Sequence, residues 1–146
     1  NLLRVIHYPP LQETDDPDEV RAAAHEDINL LTVLCSATAP GLQAQDLEGN
    51  WHEVPCDSGM LAVNTGDMLQ MASEGYFPST PHRVVNPRGE AAYRARYSMP
   101  FFLHFRPDYV IETLPSCIDP DHSDDHPDAI SSHDFLMQRL REINLA

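Results

Sequence analysis

Proline divides this chain into short pieces. Thirteen prolines and six glycines punctuate its apolar runs. Proline has no backbone donor and fixes φ, so it ends helices and is kept from the middle of sheets. Between these breaks, residues 2–8, 28–35, 42–47, 51–54, 59–64 and 82–86 read as strands, and 91–105 reads as one long strand. Residues 48–50, Glu-Gly-Asn, are a hairpin turn signal. Residues 18–24 have room for a helical turn, and 68–73 for a short strand or a turn of helix. Only the tail looks helical. Ser131 is placed to cap it, and Phe135, Leu136, Leu140 and Ile143 are spaced for one apolar face. About eight short strands separated by turns predict an all-β fold, a sandwich or barrel of the jelly-roll kind.

At 146 residues the chain is one domain by size, with an apolar content of 42% that suits a globular protein. The expected organisation is a jelly-roll domain over 1–107, an acidic, proline-rich connection over 108–130 and a C-terminal helix over 131–146. No apolar run approaches the roughly 20 residues that cross a bilayer. The opening Asn1-Leu2-Leu3-Arg4 reads as the middle of a strand, without an initiating Met, so part of a longer protein is expected. A formal charge of −14 argues against nucleic acid or anionic membrane as partner. The acid concentrates in residues 13–19 and 119–134, which read as solvated loops. Three cysteines, Cys35, Cys56 and Cys117, form no Cys-x-x-Cys pair. Reduced thiols in a cytoplasmic protein fit them best. Cys35, ending an apolar strand, is expected in the core.

Chemistry concentrates in three places. His25-Glu26-Asp27 leads into the run Ile28–Leu34, His82 follows Pro81, and Arg96-Tyr97-Ser98 lies in the long strand. On an extended segment His25 and Asp27 point the same way and Glu26 points away. With His82 from another strand they make the two-histidine, one-carboxylate set that holds Fe(II) on one face and leaves positions open. A lone His-x-Asp is common in proteins that bind no metal, and eight histidines offer many chance pairs. Arg96 and Ser98 likewise share a face, and a guanidinium fork beside a hydroxyl suits a carboxylate. Arg94 has the same parity, so alternation alone leaves both arginines open.

These blocks together resemble the isopenicillin N synthase-like branch of the Fe(II)/2-oxoglutarate-dependent dioxygenases. The resemblance runs from about Leu2 to Pro107. It is carried by Leu3-Arg4-Val5-Ile6-His7-Tyr8-Pro9-Pro10 and by His25-Glu26-Asp27-Ile28-Asn29-Leu30-Leu31-Thr32-Val33-Leu34. Gly41-Leu42-Gln43, Asn64-Thr65-Gly66-Asp67-Met68-Leu69-Gln70, Pro81-His82-Arg83-Val84 and Arg96-Tyr97-Ser98-Met99-Pro100-Phe101-Phe102 follow in order. The resemblance implies a double-stranded β-helix with His25, Asp27 and His82 as iron ligands. Arg96 and Ser98 would hold the distal carboxylate of 2-oxoglutarate, helped by Tyr8. Asn64 would be structural and Gln70 would line the pocket. The implied reaction oxidises a small organic substrate with O₂, by hydroxylation, desaturation or cyclisation, and releases succinate and CO₂. Ascorbate is a candidate reductant.

Two features depart from that pattern. Relatives carry a further stretch before this segment, which wraps the barrel. Its absence predicts exposed apolar surface and self-association. Isopenicillin N synthase itself has the same His-Glu-Asp run and Arg-x-Ser yet uses no 2-oxoglutarate. An oxidase of that kind, or a non-catalytic metal-binding jelly roll, are therefore the alternatives.

Overall fold

The computed structural model describes residues 1–12, 19–55, 57–118 and 127–145. Its strands are short. They are β1 (Leu2–Leu3), β2 (Ile6–Tyr8), β3 (Ala22–His25), β4 (Leu31–Cys35), β5 (Leu42–Gln45), β6 (Trp51–Glu53) and β7 (Leu61–Thr65). After helix α1 (Asp67–Ala72) come β8 (His82–Val84), a 3₁₀ turn at Gly89–Tyr93, β9 (Arg96–Ser98) and β10 (Pro100–Leu103). The small pair β11 (Val110–Ile111) and β12 (Ile130–Ser131) precedes helix α2 (Ser132–Glu142).

Two antiparallel four-stranded sheets face each other, one in the order β1-β10-β4-β7 and the other β3-β8-β5-β6, with β2-β9 as a separate pair. β4 is central to the first sheet, pairing Val33 with Phe101 on one side and with Val63 on the other. Its alternation fixes which face looks inward. Thr32 and Leu34 are buried, while Cys35 is exposed. Between the sheets lies a cavity of about 650 Å³, lined by Thr32, Leu34 and Phe102 from the first and Leu42, His82 and Val84 from the second. This is an all-β jelly roll closed at one end by helices. The β5–β6 hairpin turns at Gly49, whose φ of 88° suits glycine, while Asp46 Oδ1 accepts from the Asn50 amide at 2.7 Å.

The fully buried apolar cluster lies under the helices. Met68 and Ala72 of α1 meet Ile111, with Phe105, Leu114, Phe135 and Leu136 packed around them. At the start of α2, Ser131 Oγ accepts from the Asp134 amide at 3.1 Å and donates to its carboxylate at 2.6 Å.

Several expectations are corrected. The long strand over 91–105 is interrupted: Gly89–Tyr93 coils into a 3₁₀ turn, and Met99 separates β9 from β10, which belong to different sheets. Residues 2–8 divide for the same reason, since β1 pairs with β10 and β2 with β9. Within 18–24, Ala22–His25 is strand, because pairing with β8 overrides the helical preference of three alanines. Helix is not confined to the tail, since 67–72 forms α1. Cys35 is not core, because it follows buried Leu34 and period two turns it outward. Cys56 and residues 13–18 and 119–126 lie outside the described residues.

Met68 has no exposed surface. Met68→Ala should cost about 2–5 kcal/mol of stability through lost burial and a cavity. Urea denaturation measures it, and a change under about 0.5 kcal/mol would show that the site is not tightly packed.

Candidate metal centre and acid receptor

β3 and β8 pair with His25 opposite His82, which brings the two rings to a centroid separation of 4.4 Å. Asp27 lies just beyond β3. One ligand atom from each of His25, Asp27 and His82 falls within 4.8 Å of the other two. His82 Nε2 lies 3.8 Å from Asp27 Oδ1. Asp27 is buried, His82 half-buried and His25 exposed.

The hydrogen bonds around these groups orient them. His25 Nδ1 lies 2.7 Å from the Ala23 carbonyl, and His82 Nδ1 lies 2.9 Å from the Thr80 carbonyl. A carbonyl oxygen only accepts, so Nδ1 donates in both rings. In the neutral rings each Nε2 then keeps its lone pair for a metal. Asp27 is held in a complementary way. Its Oδ2 accepts from Thr32 Oγ1 at 2.5 Å and from Asn64 Nδ2 at 2.9 Å. Asn29 Nδ2 donates to the same Thr32 hydroxyl at 2.8 Å. Oδ1 is left towards the histidines. Two imidazole nitrogens and one carboxylate oxygen, each with its other polar atom engaged, fit Fe(II).

The loop carrying Asp27 is also fixed by helix α1. The amides of Gly66, Asp67 and Met68 donate to the carbonyls of Leu30, Asp27 and Asn29, at 3.2, 2.8 and 3.1 Å. Helix-starting amides have no partners within their helix, and here the loop supplies them. A Cβ on Gly66 would come within 2.3 Å of the Asn29 carbonyl oxygen and 2.6 Å of that of Asp27. Glycine is required there for space, not for an unusual φ. Glu26 is directed to Asp67, which Arg139 of α2 binds at 2.9 Å. Partial burial, then the Asp67 carboxylate, raises the Glu26 pKa.

Across the cavity, β2 and β9 pair Tyr8 with Arg96 and Ile6 with Ser98. Arg96 is 1% exposed, its Nε donates to the Ala39 carbonyl at 3.0 Å, and its Cζ sits 5.2 Å from the Tyr8 ring centroid. Ser98 is buried beside it on the inner face, and Tyr97 turns outward to stack on His7. Arg94, left open by alternation, is 76% exposed and pairs with Glu90 at 3.8 Å. The inward guanidinium is Arg96. A buried guanidinium, a hydroxyl and a phenol together suit a carboxylate.

Comparison with known proteins decides the family. A model of the 2OG-Fe(II) oxygenase superfamily matches residues 1–105. The chain belongs to the 2OG-Fe(II) oxygenase superfamily. It is 36% identical to the 2-oxoglutarate-Fe(II) type oxidoreductase hxnY of Emericella nidulans, over 79% of this chain and 32% of that protein. It is 35% identical to gibberellin 3-beta-dioxygenase 2 of Arabidopsis thaliana, over 98% of this chain and 39% of the other. Among solved structures, full-length Neurospora crassa T7H in complex with alpha-KG superimposes with a TM-score of 0.87 at 31% identity. That match covers 97% of this chain and 44% of the other. The chain thus spans less than half the length of each of these relatives.

Some contributors to this oxygenase-family site carry no role in the sequence pattern. Thr32 and Asn29 stand in the block that follows Asp27, and only the structure shows that they support its carboxylate. The signal available was a polar pair inside an apolar run. Asn64, expected to be structural, donates to the Asp27 carboxylate. Gln70 lines the groove between α1 and α2 rather than the barrel cavity, and accepts from the Ser79 amide at 2.7 Å. His104 also faces the barrel cavity, and burial lowers its pKa.

Thr32→Val keeps the shape and removes the hydroxyl that holds Asp27. It should weaken divalent metal binding by about 10- to 100-fold. Anaerobic calorimetry with Fe(II) reads this directly, and an unchanged affinity would remove Thr32 from the support of the site.

Proposed function

We propose that this chain is the catalytic jelly roll of an Fe(II)- and 2-oxoglutarate-dependent dioxygenase, an oxidoreductase acting on a small organic substrate. The observation that carries the reading is that His25, Asp27 and His82 each bring a ligand atom within 4.8 Å of the other two, with both Nδ1 atoms and Asp27 Oδ2 already engaged in hydrogen bonds. Fe(II) and 2-oxoglutarate, when bound, supply the oxidising power, by oxidative decarboxylation of the oxo acid to succinate and CO₂ with O₂ as oxidant.

The chain's own residues do the rest. His25, Asp27 and His82 hold the ion on one face. Arg96 and Ser98, with Tyr8, take the distal carboxylate. Leu34, Leu42, Val84 and Phe102 line the cavity with apolar surface that limits water. The Neurospora crassa relative in complex with alpha-KG supports the choice of cosubstrate over an oxidase that needs none. The outcome for the substrate is hydroxylation, desaturation or cyclisation, with ascorbate as reductant. The cysteine pattern supports a cytoplasmic setting, and no helix among the described residues is long and apolar enough to cross a membrane. Neither nucleic acid nor membrane surface suits a chain of net charge −14.

His82→Ala should abolish tight Fe(II) binding and, with it, succinate formation from 2-oxoglutarate in the presence of ascorbate. Tight Fe(II) binding that survives the substitution contradicts the ligand assignment. Succinate never formed by a metal-loaded wild-type protein contradicts the cosubstrate.

The reading extends to self-association. Leu61 and Val63 are 61% and 59% exposed, and alternate with the half-buried Ala62 and Asn64. Replacing both with Lys should shift the protein towards monomer in sedimentation velocity. A wild-type protein already monomeric at high concentration counts against it.

A further inference from the structure

Arg21 immediately precedes β3 and lines the same cavity as the metal centre. Its Nη2 donates to the carbonyls of Pro9 at 3.4 Å and Arg94 at 3.2 Å. Pro9 directly follows Tyr8, and Arg94 lies two residues before Arg96, while Tyr8 and Arg96 are paired across β2 and β9. The guanidinium therefore sits at the end of the ladder that carries the acid receptor.

The remaining donors are the informative part. Among the described residues, Nε and Nη1 of Arg21 are buried and find no hydrogen-bond partner. A guanidinium does not shed its proton to escape this cost, and buried donors without partners are rare. The carbonyls of Pro9 and Arg94 satisfy one nitrogen and neutralise no charge. A strut that only joined β2 to β9 would not require a cation with two further buried donors in the lining of a cavity that already holds the Arg96 guanidinium. An anionic ligand supplies both the acceptors and the opposite charge.

We propose that Arg21 is a second cation of the acid receptor, acting with Arg96, Ser98 and Tyr8 on the distal carboxylate of a dicarboxylic 2-oxo acid. This rests on the oxygenase reading above. Two guanidiniums at one end of the cavity then select a 2-oxo acid with a terminal carboxylate over one without.

The test is calorimetric and needs no turnover. The full chain is loaded with Mn(II) and titrated with 2-oxoglutarate or with 2-oxopentanoate, which has the same carbon chain and no distal carboxylate. Wild type should prefer 2-oxoglutarate. Arg21→Met should weaken 2-oxoglutarate by roughly 10- to 100-fold and leave Mn(II) and 2-oxopentanoate unchanged. Arg21→Lys should recover part of the loss. Equal weakening of both acids would make Arg21 a strut and overturn the inference, as would an unchanged preference in Arg21→Met. A wild type that binds the two acids equally would overturn the receptor assigned to Arg96 and Ser98, and this inference with it.

Discussion

The site depends on how Asp27 is held. A carboxylate buried between two sheets is costly unless its oxygens are engaged. Thr32 and Asn64, from adjacent strands β4 and β7, both donate to Oδ2. This leaves Oδ1 as the one oxygen turned to the histidines. The backbone is fixed as well, because the first amides of α1 close on the carbonyls of Asp27, Asn29 and Leu30. The sheet, the loop and the helix therefore share one set of hydrogen bonds. Moving any of them moves the carboxylate.

The barrel separates two kinds of chemistry within one cavity. At one side lie the ligand set and its supporting hydrogen bonds. At the other lie Arg96, Ser98 and Tyr8, presented by the β2–β9 pair. Apolar side chains from both sheets line the same cavity, as do Leu136, Leu140 and Ile143 of the C-terminal segment. That segment is tied back to the metal loop through Arg139 and Asp67. The helix predicted from an apolar stripe in the tail thus forms part of the cavity's wall.

Period two made much of this legible. It placed Arg96 and Ser98 on one face and Tyr97 on the other. It could not choose between Arg94 and Arg96, since that depends on where β9 begins, and the 3₁₀ turn at Gly89–Tyr93 decides it. It could not divide 91–105 into strands of two sheets, because partner choice is a tertiary property. The metal triad was legible as residue types in order, and the His25–His82 pairing across β3 and β8 was not. Least legible were the groups that act on other side chains: Thr32, Asn29, Asn64 and the carbonyls of Ala23 and Thr80. Nothing in a single sequence distinguishes a threonine that bonds a carboxylate from one that fills a strand.

The central claim is that three side chains, each oriented by a second hydrogen bond, hold one metal ion. A crystal structure of the protein grown anaerobically with Fe(II) tests it most directly. The account predicts one ion at roughly 2.0–2.2 Å from His25 Nε2, His82 Nε2 and Asp27 Oδ1, with Oδ2 still bonded to Thr32 and Asn64. An ion bound through Asp27 Oδ2 or a histidine Nδ1, or held elsewhere on the chain, would contradict it.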